Sequence, residues 1–185
     1  MSGMRAVGIV FVVGWAAFWL YWLVAALSMK RGRVPWPREL RIRAVVLVGV
    51  VLLGRLGVFR AHGLHTDPWR AGLGLVVFAL GLGFAIWARI HIGRNWGTPM
   101  TQKAEPELVT SGPYRLVRHP IYSGVLVAGI GTAVALNWVW LMVVVLAGVY
   151  FLYSAIVEEG YMTEQFPNSY PEYKRSTKML VPFIF

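Results

Sequence analysis

Long apolar blocks, separated by short connectors rich in arginine and lysine, dominate this sequence. Five such blocks occupy residues 6–28, 44–59, 70–90, 121–136 and 138–157. Four of them are long enough, or nearly so, to cross about 30 Å of hydrocarbon as helices, and one is somewhat short. Only 14% of the 185 residues are charged, which is too little for the surface of a soluble domain. We therefore predict a single all-α integral membrane domain, residues 1–185, with about five transmembrane helices.

The charges of the connectors predict the topology. The first connector contains six basic residues against the single acid Glu39, and the third contains at least four basic residues. Short loops rich in lysine and arginine remain in the cytoplasm. We therefore expect a multi-pass protein with its N-terminus outside and its C-terminus cytoplasmic.

Composition also excludes several functions. The formal net charge is +10, but the basic residues are grouped between apolar blocks and form no solvated basic face, so we expect no nucleic acid partner. Without cysteine, the chain has no disulfide, thiolate metal site or iron–sulfur cluster. We expect no metal ion at the site.

The fourth and fifth blocks are joined by almost no loop and are predicted to form a tight antiparallel hairpin. Eighteen residues separate His119 from Asn137, which is about 27 Å of helix, and 21 residues lead from Asn137 to Glu158, which is about 32 Å. Arg118 and His119 therefore lie at nearly the same depth as Glu158 and Glu159. We expect all four to meet at the cytoplasmic boundary of the membrane.

Two interpretations of that meeting are open. We predict that the fifth helix ends near Val157, where its dipole disfavours the two glutamates that follow unless a cation is held beside them. Arg118 begins the fourth helix, where a cation and backbone N–H groups attract an anion. The four residues then form a site for a zwitterion. Alternatively, Arg118 and one glutamate form an ion pair that locks the hairpin.

Two other patterns favour packing. The aromatic residues Phe11, Trp15, Phe18 and Trp22 recur at helical spacing, which indicates contact with lipid or with another helix. Small residues along the fourth helix allow a neighbouring helix to approach closely. These residues are Gly124, Ala128 and Gly131.

Several motifs of the C-terminal half resemble those of the isoprenylcysteine carboxyl methyltransferase family. The motifs are Gly93-Arg94-Asn95-Trp96, then Leu108-Val109-Thr110-Ser111-Gly112-Pro113-Tyr114-Arg115, then Arg118-His119-Pro120-Ile121-Tyr122-Ser123-Gly124, then Glu158-Glu159, and finally Phe166, Tyr170, Tyr173 and Pro182. They follow one another in the order and at the spacing of that family. The resemblance covers residues 91–185, about half of the chain.

The resemblance implies an intramembrane methyltransferase that uses S-adenosylmethionine and releases S-adenosylhomocysteine. Residues 91–185 would be its cofactor-binding core and residues 1–90 a three-helix N-terminal part. A lipophilic or lipidated substrate would enter from the membrane lipids, and methylation would occur at the cytoplasmic face. Position by position, the cofactor-binding residues would be Leu108, Val109, Gly112, Pro113, Tyr114, Arg118, His119, Tyr122, Ser123, Glu158 and Glu159.

The catalytic residues implied are Arg118, Glu159 and Arg175, with Arg118 or Arg175 orienting an acidic substrate. The tail departs from the family pattern, since Pro167 replaces a glycine, and the basic residue expected near the second tail tyrosine has two candidates, Arg175 and Lys178. These departures leave the methyl acceptor open. Carboxyl O-methylation of an isoprenylcysteine-like substrate is the first expectation, and phospholipid N-methylation is the alternative.

The sequence leaves two further classes of function open. Membrane sterol reductases that use NADPH share the Arg-His-Pro-x-Tyr-x-Gly element, although they carry asparagine where this chain has Ile121. A non-catalytic membrane scaffold would bind neither cofactor. For a methyltransferase, we also expect the connector 99–112, which is polar and rich in proline, to be a mobile lid that shields the reaction from water.

Overall fold

The computed structural model describes residues 2–26, 32–33, 41, 44–45, 48–49, 51–52, 55, 65, 67–96, 102–103 and 107–182. Its helices are α1 (Ser2–Ala26), α2 (Pro68–Ile92), α3 (Pro120–Ala135), α4 (Trp140–Gln165) and α5 (Ser169–Ser176). Two short strands, β1 (Gly32–Arg33) and β2 (Gln102–Lys103), pair in antiparallel fashion. Single 3-10 turns occupy Gly93–Asn95 and Gly112–Arg115.

Within these residues, three segments are long and apolar enough to cross a membrane, namely Arg5–Ala25, Pro68–Asn95 and Trp140–Gln165. Helix α3 is a shorter apolar helix of 16 residues. The chain is therefore an integral membrane protein, and its described part is all-helical apart from the two short strands. The predicted span 44–59 falls largely outside the described residues, so the total of five helices and the orientation of the termini remain predictions.

Glycine allows α2 and α3 to pack at very short distance. A Cβ atom on Gly81 would lie 2.4 Å from the backbone nitrogen of Ala128, and one on Gly124 would lie 2.6 Å from the carbonyl oxygen of Gly81. Gly74 and Gly131 face each other in the same way one level further along the helices. The predicted packing role of the small residues in α3 is confirmed, and α2 supplies matching glycines.

The predicted hairpin is present as α3 and α4. Residues 136–139 connect the two helices, and the side-chain oxygen of Asn137 accepts a hydrogen bond of 2.8 Å from the backbone N–H of Val139. Gly129 lets the two helices approach, because a Cβ there would lie 2.8 Å from a methyl carbon of Val144. The Tyr122 and Phe151 rings stack at 4.5 Å across the hairpin.

The predicted end of the last span is wrong. Helix α4 continues to Gln165 rather than stopping near residue 157, because the first proline after its start is Pro167 and Gly160 does not interrupt it. Glu158 and Glu159 therefore lie inside the helix, more than a turn before its end. An unfavourable helix dipole does not explain their presence, since that effect is confined to the last turn.

Helix α1 joins this core through aromatic contacts and two side-chain hydrogen bonds. The rings of Phe11 and Phe78 are 4.7 Å apart and both are buried. The indole N–H of Trp15 donates to the hydroxyl oxygen of Thr132 at 3.2 Å. At the other end of α1, the guanidinium of Arg89 donates to the carbonyl oxygen of Ala25 at 2.9 Å. Helix α1 is thus attached to both α2 and α3.

Candidate functional site

The start of α3 lies beside Glu158 and Glu159 of α4, as the helical rise predicts. Helix α5 packs at the same place. The central group is the Glu159 carboxylate, which is only 3% exposed. Its Oε1 lies 2.7 Å from Nε of Arg118, and its Oε2 lies 2.7 Å from Nζ of Lys174. The cations beside Glu159 are therefore supplied by the protein. This geometry matches the interpretation of a structural ion pair for this glutamate.

Arg118 also stabilises the end of α5. Its Nη1 donates to the carbonyl oxygen of Lys174 at 3.2 Å and to that of Thr177. Such bonds satisfy carbonyl groups that the end of a helix leaves without partners. Within the described residues, Nη2 of Arg118 has no acceptor, and Arg118 lines the cavity described below. One amino group of this guanidinium is therefore available to an anion.

The C-terminal segment lies over the start of α3. The backbone N–H groups of Arg118 and His119 donate to the carbonyl oxygens of Lys178 and Met179 at 2.9 and 3.1 Å. The hydroxyl of Ser123 donates to the carbonyl oxygen of Leu180 at 2.6 Å. Protein carbonyls thus occupy backbone donors that the sequence assigned to an anion site, and the Ser123 hydroxyl is bonded to the chain itself.

Glu158 has a different environment from Glu159. Its Oε1 accepts a hydrogen bond of 2.6 Å from the hydroxyl of Tyr122, and its Oε2 lies 3.6 Å from Nδ1 of His119. The His119 ring stacks on the Tyr122 ring at 5.4 Å, nearly parallel, which holds both groups in place. The Glu158 side chain is 24% exposed and lines a cavity, whereas Glu159 does not line it. Glu158 is thus the carboxylate that a ligand can reach.

That cavity is a largely apolar chamber of about 1080 Å³ between α1, α3 and α4. Its polar end is formed by Arg118, His119, Tyr122 and Glu158. From there it follows the apolar faces of the helices into the membrane-spanning part of the protein. The chamber therefore has one end suited to a charged ligand and a long apolar extension.

Segment 107–115 covers the polar end and is fastened at several points. The side-chain amide of Asn95 donates to the carbonyl oxygen of Glu107 at 2.6 Å and accepts from its N–H at 3.3 Å. Nε2 of His91 lies 2.9 Å from Oγ of Ser111. Gly112 has φ of +58°, and a Cβ there would strike the His91 ring at 2.6 Å, so only glycine suits this position. This part of the predicted lid is well anchored, and positions 97–101 and 104–106 lie outside the described residues.

Tyrosines of α5 complete this cover. The hydroxyl of Tyr173 donates to the carbonyl oxygen of Tyr114 at 2.5 Å. Burial raises the pKa of Tyr173 to about 12, and burial raises the pKa of Tyr114 and Tyr170 further. All three rings line the chamber and remain neutral at physiological pH. They close the polar end without adding charge.

The structure brings most of the predicted site residues to one place. Those that line the chamber are Leu108, Val109, Tyr114, Arg118, His119, Tyr122 and Glu158. Those that lie in the surrounding framework are Gly112, Pro113, Ser123 and Glu159. Arg175 is exposed on α5 and does not line the chamber. Among the described residues, no group of three histidine, aspartate or glutamate side chains is placed to hold a metal ion.

Three features were missed by the sequence analysis. Lys174, the second cation on Glu159, directly precedes the candidate Arg175, and nothing in the sequence distinguishes it from its basic neighbours. Asn95 belongs to a quoted motif, but its bonds to Glu107 depend on the fold. The aromatic stripe of α1 lines the chamber, and periodicity alone does not distinguish a cavity from lipid.

The motif region matches a known family. A family model described as phospholipid methyltransferase matches residues 69–169, more than half of the chain. This range includes the four residues that form the polar end of the chamber. The chain belongs to the phospholipid methyltransferase family.

Proteins with different names are similar in sequence to this chain. Protein-S-isoprenylcysteine O-methyltransferase B of Arabidopsis thaliana is 33% identical over 128 residues, covering 66% of this chain and 64% of that protein. Methanethiol S-methyltransferase of a Pseudomonas strain is 31% identical over 125 residues, covering 63% of this chain and 48% of that protein. The chain thus spans less than two thirds of the length of either relative. The resemblance to isoprenylcysteine methyltransferases is confirmed.

Among solved structures, a eukaryotic intramembrane Ras methyltransferase, an isoprenylcysteine carboxyl methyltransferase, matches with a TM-score of 0.49 and 22% identity. The match covers 80% of this chain and 53% of that one.

Proposed function

We propose that this phospholipid methyltransferase family member is an integral membrane enzyme that transfers a methyl group from S-adenosylmethionine to a lipophilic acceptor at the cytoplasmic face. The observation that supports it most strongly is the placement of Glu158 and Nη2 of Arg118 at the polar end of an apolar chamber. An ammonium and a carboxylate, the two charges of the methionine part of the cofactor, are complementary to these groups.

The residues present are suited to that cofactor. Glu158 would hold the ammonium group, since its carboxylate is reachable and is fixed by Tyr122. Arg118 would hold the carboxylate through Nη2, which has no acceptor among the residues that the structure describes. Leu108, Val109 and Tyr114 would cover the bound molecule from the anchored segment above it. When bound, the cofactor supplies an activated methyl group on a sulfonium.

The chamber then favours the transfer by excluding water. Opposite charges are neutralised when a sulfonium methylates an anion, so a low-dielectric, water-free environment favours the reaction over bulk water. A carboxylate acceptor needs only alignment with the methyl carbon. An amine acceptor needs a proton acceptor, for which Glu158 and His119 are the groups at hand.

Carboxyl O-methylation of an isoprenylcysteine-like substrate is the first candidate reaction. The second arginine of the predicted site supports it, because the exposed Arg175 on α5 would attract an acidic head group while Arg118 holds the carboxylate of the cofactor. N-methylation of a phospholipid is the second candidate, favoured by the description of the family. Membership of a methyltransferase family argues against the NADPH reductase, and the charged groups at the polar end of the chamber argue against a scaffold.

The test is methyl transfer by the full-length protein in lipid nanodiscs, with methyl-labelled S-adenosylmethionine and either N-acetyl-S-farnesylcysteine or phosphatidylethanolamine. We expect label in farnesylcysteine as a base-labile methyl ester. Arg118→Gln should abolish the transfer, whereas Arg115→Gln, which changes an exposed arginine outside the chamber, should not. Stable label in the phospholipid would select the second candidate. Absence of transfer to both acceptors, together with absence of cofactor binding, would contradict the proposal.

A further inference from the structure

The aromatic stripe of α1 has a place in the chamber that the cofactor does not explain. All four of its rings line the chamber, namely those of Phe11, Trp15, Phe18 and Trp22. The polar groups proposed for the cofactor are confined to the other end, on α3 and α4. The apolar extension is therefore left for the acceptor's tail, and α1 forms one of its walls.

One hydrogen bond links two walls of this extension. The indole N–H of Trp15 on α1 donates to Oγ1 of Thr132 on α3 at 3.2 Å, and both residues line the chamber. The Thr132 hydroxyl donates in turn to the carbonyl oxygen of Ala128 at 2.9 Å, which directs its lone pairs toward the indole. Thr132 is 2% exposed, and the Trp15 ring also packs against Phe78 at 5.5 Å. The indole is therefore held in one orientation.

The position of this pair along the chamber is defined by α3. Tyr122, at the polar end, and Thr132 are ten residues apart, which is about 15 Å of helix. The chamber continues beyond the pair, where Leu136 and Trp140 line it. A tail that extends from the polar end along the chamber thus meets a fixed indole before it reaches the far end.

We propose that Trp15 and Thr132 are specificity-determining residues that set the length of the apolar tail accepted by the enzyme. This inference rests on the proposed function, since it concerns the acceptor of the same reaction. A tail that ends at or before the indole buries all of its carbon atoms. A longer tail has to displace the ring and break its hydrogen bond, or leave part of its length outside.

The kinetic test compares N-acetyl-S-geranyl-, S-farnesyl- and S-geranylgeranylcysteine with the full-length protein in nanodiscs. In Trp15→Ala, the ratio of kcat/KM for the geranylgeranyl over the geranyl acceptor should rise at least about fourfold, the gain from burying one further methylene group. Thr132→Val keeps the side-chain size but removes the acceptor oxygen, and should shift the ratio in the same direction by less. Thr132→Ser keeps the hydroxyl and should retain the original ratio.

The control is Trp87→Ala, which removes a tryptophan on α2 that is 48% exposed and lies outside the chamber. This variant should leave the ratio unchanged. Equal ratios in the original protein, Trp15→Ala and Thr132→Val would overturn the proposal, and so would an equal shift in the control.

A binding measurement separates this inference from the proposed function. S-prenylcysteines that carry a diazirine at the end of the tail are photolysed in the unaltered protein, and the adducts are mapped by mass spectrometry. Adducts at residues 11–15 or 132–136 without methyl transfer to either the prenylcysteines or phosphatidylethanolamine would support the tail site and contradict the methyltransferase. Methyl transfer with adducts outside both segments would overturn the tail site alone. Neither transfer nor adducts there would overturn both.

Discussion

The hydroxyl of Tyr122 donates a 2.6 Å hydrogen bond to the carboxylate of Glu158, while the adjacent Glu159 is held by Arg118 and Lys174. Two neighbouring glutamates on one helix therefore have different principal partners. They share His119, whose Nδ1 lies 3.6 Å from Glu158 and whose Nε2 lies 3.5 Å from Glu159. Only Glu158 lines the chamber. The two residues should have different mutational effects, which is the basis of the first two predictions.

Glu158→Gln should weaken the binding of S-adenosylhomocysteine by about 1–3 kcal/mol, the cost of removing the charged partner of a hydrogen bond. The reason is that glutamine cannot offer a negative charge to the ligand's ammonium group. Calorimetric titration of the purified protein measures the change. Glu164→Gln, which alters an exposed glutamate further along α4, is the matched control and should bind normally. Equal affinities in Glu158→Gln and the unaltered protein would remove Glu158 from the binding site.

Glu159→Gln should instead destabilise the protein. Its carboxylate is nearly inaccessible and neutralises two cations, so removing one charge of a buried pair costs about 3–5 kcal/mol. One of the two cations, Lys174, is 51% exposed, and solvent weakens its attraction to the carboxylate. We therefore expect a loss of stability at the lower end of the range for buried pairs. The midpoint of thermal unfolding in detergent reports the loss, with Glu164→Gln again as the control. An unchanged midpoint together with lost ligand binding would show that Glu159 contacts the ligand.

Asn95→Ala should loosen the segment that covers the polar end. It removes both hydrogen bonds to Glu107, each worth about 1 kcal/mol. Limited trypsin digestion should then cleave faster at Lys103, and S-adenosylhomocysteine should slow cleavage in the unaltered protein. Arg94→Gln, at the exposed neighbouring position, should retain the original rate. If the ligand binds but gives no protection, segment 99–112 is not a lid.

Tyr173→Phe should lower the free energy of unfolding by about 1 kcal/mol, because the carbonyl of Tyr114 loses its donor. Burial raises the pKa of Tyr173 to about 12, above its ordinary value near 10, so the hydroxyl contributes fully below about pH 10 and its contribution is lost as the pH rises through 12. The difference between the variant and the unaltered protein should therefore be the same at neutral and mildly alkaline pH. A difference that disappears between neutral and mildly alkaline pH would show that the tyrosine ionises much earlier.

The predicted orientation has its own test. Single cysteines at Asp67, before α2, and at Lys178, after α5, should react with a membrane-impermeant maleimide from opposite sides, with Lys178→Cys reacting only from the cytoplasm. Both positions are exposed or partly exposed and lie outside the chamber. Reaction of both from the same side would contradict the placement of the site at the cytoplasmic face.

The helical rise was sufficient to predict which residues meet. The short turn at Asn137 forces α3 and α4 to run antiparallel. The nearly equal residue counts on its two sides, 18 and 21, therefore placed Arg118 and His119 beside Glu158 and Glu159. This distance argument does not depend on where α4 ends. That is why it was correct although the predicted end of the helix was wrong.

The sequence could not predict which of the two glutamates lines the chamber. Adjacent residues on a helix point about 100° apart, so one of the two had to face away from the chamber, but the choice depends on how α4 is rotated. That rotation is set by partners far away in sequence, such as Lys174 on α5. The role of the α1 aromatics depends in the same way on the position of α1 beside α3.

The most direct test of the central claim is calorimetric titration of the purified, unaltered protein with S-adenosylhomocysteine and, separately, with NADPH. The proposed function predicts saturable binding of S-adenosylhomocysteine, lost or much weakened in Arg118→Gln, and no binding of NADPH. Binding of NADPH alone would identify a reductase, and binding of neither compound would identify a scaffold. Either result would contradict the methyltransferase.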